Sequence, residues 1–278
     1  MKFRFSLLAA LFLAFLLVLA ACSGDGSADP EDVEDDTTET EESSTEEEAE
    51  EEETAASGEK VLVFARGGDS ESLDPGSTTD GESSRVTQQV LEGLITFDKE
   101  SFDLKPALAH DWEVSDDGLK YTFYLEEGVT FHDGTPFNAE AVKINFERWA
   151  DPEHEYAFTD DGYVYSMYGT MFGGYKGDPG HVIEEINVVN DYEIEFILNQ
   201  PLGFFLQNMG MSYFAITSPA ALEEYGPNIN ENPVGTGPFK FVSWTKDDSI
   251  VLEKFEDYRI EGLPKLDRVI FEVPGLSW

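Results

Sequence analysis

The sequence predicts a mixed α/β fold of the α+β kind, and three observations carry that expectation. Short apolar runs bounded by Gly, Pro, Asn or Asp recur along the chain, as strands separated by turns require. Several follow one another closely, which favours antiparallel hairpins. At least one longer segment instead spaces its apolar residues three and four apart, the period of an amphipathic helix.

Taken in order, Lys60 to Ala65 is an apolar run stopped by Gly67-Gly68, the pattern of a buried first strand. Ser72-Leu73-Asp74-Pro75-Gly76 is turn chemistry, with Pro presetting φ. Ser83 or Ser84 is expected to cap a helix through Val86, Val90 and Leu91, leading into Gly93 to Phe97. Leu119 to Leu125 alternates Tyr121, Phe123 and Leu125 on one face. It follows a turn at Asp116-Asp117-Gly118, with Trp112 and Val114 before it, so a hairpin is predicted. Asn138 to Trp149 reads as a helix with a capping Asn, a stripe of Val142, Phe146 and Trp149, and a stop at Asp151-Pro152. Residues 156–180, rich in Gly, Tyr and Phe, show no clear period and read as a long loop or irregular crossover. Val182 to Val189 and Glu193 to Leu198 read as strands turning at Asn190-Asp191, and Pro219 begins a short helix to Tyr225. Further strands are expected at Phe239 to Trp244, Ser249 to Lys254 and Arg268 to Val273.

Upstream of these elements the chain has a different character. Lys2 and Arg4 precede the almost wholly apolar run Ser6 to Leu19, and Leu19-Ala20-Ala21-Cys22 sets small residues directly before the single cysteine. This is the pattern of a leader over residues 1–21, cleaved so that Cys22 accepts lipid. An uncleaved membrane helix is the plainer alternative, but the apolar run is short for a span. With one cysteine, neither an intramolecular disulfide nor a cysteine metal cluster is possible. Residues 23–58 hold 17 acidic residues and no Lys or Arg. Such composition cannot bury enough apolar surface to fold, so residues 22–58 are expected to form a disordered acidic tether. From Glu59 onward 41 acidic residues still face 15 basic ones. A net charge of −26 disfavours nucleic-acid binding, which needs a basic footprint. It fits a solvated, self-repelling surface better than a site for cationic ligands, because the charge is spread along the chain.

The order of several blocks resembles the family 5 extracytoplasmic solute-binding proteins, the capture subunits of peptide-type ABC importers. The blocks are Ser72-Leu73-Asp74-Pro75, Leu91-Glu92-Gly93-Leu94, Pro106-Ala107-Leu108-Ala109 and Trp112 to Leu125. They continue with Gly128 to Val142, Asn232-Pro233-Val234-Gly235-Thr236-Gly237-Pro238-Phe239 and Val251 to Lys254. The resemblance implies a periplasmic-binding-protein-like lobe I, formed by Val61 to about Phe102 and Asn232 onward, with a subdomain of about 103–228 inserted into it. Members of the family are two-lobed and close on a ligand by hinge motion. They are also much longer than this chain, and Pro274 to Trp278 departs from the family's pattern. The resemblance therefore leads us to expect an N-terminal half with lobe II missing, a truncated copy or a fragment, and an apolar surface left bare where the other lobe would lie.

The same resemblance implies a peptide ligand, an ABC permease as partner and a monomer held by its lipid on the outer, or periplasmic, face of the cell membrane. It carries the loop after Ser-Leu-Asp-Pro to the cleft, where Thr79, Asp80 and Gly81 are candidate ligand contacts and Asp80 could meet an ammonium. Tyr156 is a candidate cleft aromatic. A plain surface loop and packing inside the subdomain, together with Tyr163, Tyr165 and Tyr168, are the simpler alternatives. No cofactor is expected. His110, His132, His154 and His181 lack paired metal-ligand spacing, and His132-Asp133 is better explained by its turn. No nucleophile elbow, phosphate loop or dinucleotide fingerprint occurs, so an enzyme is not expected. Nickel- or sugar-binding relatives, and a tethered sensor, adhesin or scaffold, remain alternatives to peptide capture.

Overall fold

The computed structural model describes residues 58–275. The leader, Cys22 and nearly all of the expected tether lie outside these residues. The described chain forms three sheets. Strands β1 (Val61–Ala65), β8 (Phe239–Thr245), β9 (Ser249–Lys254) and β10 (Arg268–Glu272) make one, in the order β1-β10-β9-β8. β1 runs parallel to β10, and the other pairs are antiparallel. Strands β2 (Ile95–Phe97) and β3 (Leu104–Pro106) form a small hairpin. The third sheet, β4-β5-β7-β6, comprises β4 (Ala109–Val114), β5 (Lys120–Leu125), β6 (Ile183–Asn190) and β7 (Glu193–Leu198), all antiparallel.

Five helices accompany the sheets: α1 (Gly81–Val90), α2 (Ala139–Ala150), α3 (Ser166–Phe172), α4 (Phe205–Met209) and α5 (Pro219–Tyr225). α2 starts where the sequence says it should. Asn138 is extended, and its side chain accepts from Ala141 N at 3.0 Å, satisfying one of the donors a helix start leaves open. α5 begins in the same way, with Ser218 as cap and Pro219 in the first turn. α1 corrects the expected cap. Its N-cap is Asp80, whose Oδ1 accepts from Ser83 N at 2.7 Å. Ser83 already lies inside the helix, and its Oγ instead accepts from Glu71 N and Ser72 N, holding the preceding turn in place. The expected loop over 156–180 contains α3, which has no side-chain cap and whose tight aromatic packing hides its period. α4, five residues long, gives too short a stripe to read.

Two apolar clusters organise the fold. The larger gathers residues from Leu94 to Ile229 around Phe146, whose ring centroid lies 4.9 Å from Phe196, 5.0 Å from Trp149 and 5.9 Å from Phe214. Tyr121, Phe123 and Leu125 point into it from one face of β5, as their alternation requires. The smaller cluster packs Val86, Val90 and Leu91 against Ile250, Leu252, Val269 and Phe271. The two meet where Gly235-Thr236-Gly237 crosses the end of α1. A Cβ on Gly235 would stand 2.3 Å from Val90 O, so only glycine permits this approach.

β1 overturns one expectation. It is not buried: Val61, Leu62, Val63 and Phe64 are 40–52% exposed. The strand lies at the sheet edge, pairs only with β10, and contributes no residue to the smaller cluster. A continuous apolar run buries itself only when both of its faces are covered.

Candidate functional site

β1 and β10 are the parallel pair of their sheet, and ligands of open α/β sheets gather beyond the carboxyl ends of parallel strands. At that end of β1 the chain enters Arg66, Gly67 and Gly68. Arg66 is buried, donates from Nη1 to Ser70 Oγ at 2.7 Å and to Glu82 O at 3.4 Å, and pairs with Asp69 at 3.2 Å. It thereby holds the first turn of α1 against the end of β1. Asp69 is fixed in turn by Trp244 Nε1 at 3.0 Å and Asp247 N at 2.8 Å.

The predicted contacts lie at the start of α1. Thr79 and Gly81 are exposed and Asp80 is half-buried. Asp80 Oδ1 is engaged as the helix cap, whereas Oδ2 is enclosed without a partner, and so is Glu82 Oε2 in the same turn.

Tyr156 follows α2. Its amide donates to His154 Nδ1 at 3.1 Å, and its half-buried ring meets His154 and Phe158 at centroid distances of 5.7 and 6.4 Å. Tyr163, Tyr165 and Tyr168 are core residues, as the simpler alternative held. Tyr163 Oη donates to Pro227 O at 2.6 Å and accepts from Asn230 N at 3.1 Å. Burial pushes the phenols of Tyr163, Tyr165 and Tyr168 above their ordinary range, so each stays a neutral hydroxyl.

Among the described residues no hydrogen bond joins Thr79–Gly81 to Tyr156 directly. The connection is a buried ion pair that sequence reasoning missed. Arg148, on α2, donates from Nη2 to Asp74 Oδ1 at 2.6 Å and from Nη1 to Asp74 Oδ2 at 2.9 Å, both side chains being fully enclosed. Burial opposes the charge on Arg148, but Asp74 more than offsets it and keeps the guanidinium charged. No local pattern marked the pair: at 3.6 residues per turn Arg148 lies about 100° around the helix from Trp149 and farther still from Val142 and Phe146, outside the apolar arc.

A crevice of about 240 Å³, lined by His132, Asp133, Tyr225, Asn232, Lys240 and Glu253 among others, shares no residue with these segments. Four of its polar groups are already paired. Asp133 accepts from Ser218 and Thr135, Lys240 meets Glu253, and His132 Nε2 lies 2.9 Å from Gly237 O. Among the described residues no group of three His, Cys, Asp or Glu is placed to hold a metal ion.

Residues 103–274 match the profile of the bacterial extracellular solute-binding proteins, family 5 Middle. The chain is 37% identical over 210 residues to the glutathione-binding protein GsiB of Pectobacterium atrosepticum, covering 76% of this chain and 37% of that relative. It superposes on the periplasmic binding protein DppA of Helicobacter pylori, solved with the peptide STSA, with a TM-score of 0.69 and 37% identity. That match covers 77% of this chain and 42% of the other. A dipeptide-binding protein of Pseudoalteromonas bound to Met-Leu gives a TM-score of 0.68 at 27% identity, covering 77% and 43%. The chain thus spans less than half the length of these relatives.

Proposed function

Because this chain belongs to the family 5 bacterial extracellular solute-binding proteins, we propose that it serves as the ligand-capture lipoprotein of an ABC importer for short peptides. The observation that carries the reading is the start of α1. There Thr79, Asp80 and Gly81 stand beside the carboxyl end of parallel β1, with Thr79 and Gly81 exposed and the half-buried Asp80 carboxylate supplying negative charge to attract a peptide ammonium. Similarity to a glutathione-binding protein and to two peptide-bound structures supports the peptide class.

On this reading the β1-β10-β9-β8 sheet with α1 forms lobe I, and about 103–228 forms the inserted subdomain. Tyr156 supplies an aromatic surface to the ligand wall. The opposite wall belongs to the second lobe, and hinge closure encloses the ligand in a largely wet pocket. The exposed apolar β1 fits a lobe that other parts of the whole protein cover. Cys22 carries lipid, the acidic segment to residue 58 holds the domain off the membrane, and a permease receives the ligand. No catalytic step and no cofactor enter this function.

The test is a thermal-shift titration of the two-lobe protein with short peptides, glutathione, nickel chelates and sugars. A ligand at 100 times its Kd stabilises by about 2.7 kcal/mol, an easily read shift. A response to peptides that weakens in Asp80→Asn supports the reading. A response confined to nickel chelates or sugars reassigns the ligand, and no response to any of them sinks capture. Release of a Cys22→Ser variant from the membrane fraction tests the anchor.

A further inference from the structure

We propose that the buried Asp74–Arg148 pair is a positioning device that fixes the Thr79–Gly81 loop and the Tyr156 segment relative to one another. The inference rests on the reading of those two segments as parts of one ligand wall.

A fully enclosed ion pair is a poor source of stability, because desolvating both charges cancels most of their attraction and an apolar pair of similar volume does as well. What the pair supplies that an apolar contact does not is orientation. The guanidinium fork and the carboxylate meet through two parallel bonds, which fixes both distance and angle.

Each partner is tied to one of the two segments. On the Asp74 side, its backbone carbonyl accepts from Thr78 Oγ1 at 2.8 Å and from Ser77 N at 3.2 Å, and Thr78 leads directly into Thr79. On the Arg148 side, Nη1 donates to Tyr165 Oη at 3.1 Å, and that hydroxyl donates to Ala157 O at 2.8 Å, beside Tyr156. Asn145 holds Arg148 from below: its Oδ1 accepts from Arg148 Nε at 3.3 Å, and its Nδ2 donates to Thr217 O at 2.8 Å. A series of polar contacts therefore runs from Thr78 to Ala157 through the side chains of Asp74, Arg148 and Tyr165, the first two lying 74 residues apart in sequence.

Amide hydrogen exchange on the chain without ligand tests this. Thr78, Tyr156 and Ala157 all donate amide hydrogen bonds, so their exchange reports how firmly each segment is held. In Tyr165→Phe, which removes only the hydroxyl link, Tyr156 and Ala157 should exchange about tenfold faster while Thr78 is unchanged. In the double variant Asp74→Leu/Arg148→Met both segments should exchange at least about tenfold faster, with β5 and β7 unaltered. Arg148→Lys, which restores charge without the fork, should leave both segments fast.

Wild-type exchange at both segments in a folded double variant would overturn the proposal, as would acceleration spread evenly over α2 and the sheet. Should the double variant fail to fold, unchanged exchange in Tyr165→Phe and Arg148→Lys would overturn it equally. Failure of peptides to bind would count against the ligand wall alone, since no ligand enters this experiment.

Discussion

Acidification through the histidine range should destabilise the fold through His132. Its half-buried ring packs edge-on against Phe255 at 4.8 Å, with Nε2 2.9 Å from Gly237 O and Nδ1 facing Gly235 N at 3.4 Å. The neighbours thus select the neutral tautomer with hydrogen on Nε2, and a second proton on Nδ1 would face the amide of Gly235. Burial, opposed by the Gly237 contact and helped by nearby Lys240, lowers the imidazole from 6.5 to about 4. Below pH 6.5 the unfolded chain takes up a proton that the folded chain refuses until about pH 4. The stability His132 confers is therefore complete above 6.5 and lost as pH falls through that window. The ceiling is about 3 kcal/mol, and partial exposure brings the expected loss nearer to about 2 kcal/mol. Urea unfolding of the wild type and of His132→Gln between pH 7.5 and 4.5 measures it. The many carboxylates, and His154 and His181, whose pKa values burial also lowers, titrate in both proteins and cancel in the difference. Parallel stability curves, agreeing within about 0.5 kcal/mol throughout, would refute the reasoning.

Three further outcomes are expected. Phe146→Ala removes a fully buried ring contacting Trp149, Phe196 and Phe214, and should cost about 3–5 kcal/mol in chemical denaturation; a loss below about 1 kcal/mol would show that the core collapses into the space. Gly235→Ala places a methyl 2.3 Å from Val90 O and 2.8 Å from Leu91 Cα. Since backbone must move, about 1–3 kcal/mol should be lost, and an unchanged melting temperature would mean the contact is slack. Because residues 59–278 carry a net charge of −26, raising NaCl from ~20 mM to ~0.5 M should raise the melting temperature by screening repulsion; a flat or falling response would contradict this.

Much of the local structure was legible because it depends on neighbours in sequence. Asn138 and the stripe Val142, Phe146 and Trp149 specify α2, Ser218-Pro219 starts α5, and the turn at Asp116-Asp117-Gly118 pairs β4 with β5. Asp80 shows the margin of error. Asp80, Ser83 and Ser84 can all cap, and the choice depends on Ser83 being drawn inward to hold the Glu71 and Ser72 amides. For the candidate site, the family's blocks pointed to Thr79, Asp80, Gly81 and Tyr156, whereas Arg66, Glu82 and the Asp74–Arg148 pair gave no comparable signal. Their partners lie up to 74 residues away, and no local pattern encodes which carboxylate a given arginine meets.

The sequence by itself determined the order and type of most strands and helices, the family and the acidic surface, since periodicity, capping and composition act within a few residues. Only the tertiary structure decided that the apolar run of β1 lies at an exposed edge and that Gly235 presses on the end of α1. It also decided that Asp74 and Arg148 neutralise one another out of water. Burial and charge pairing depend on what the folded chain brings alongside a residue, and local sequence does not encode that.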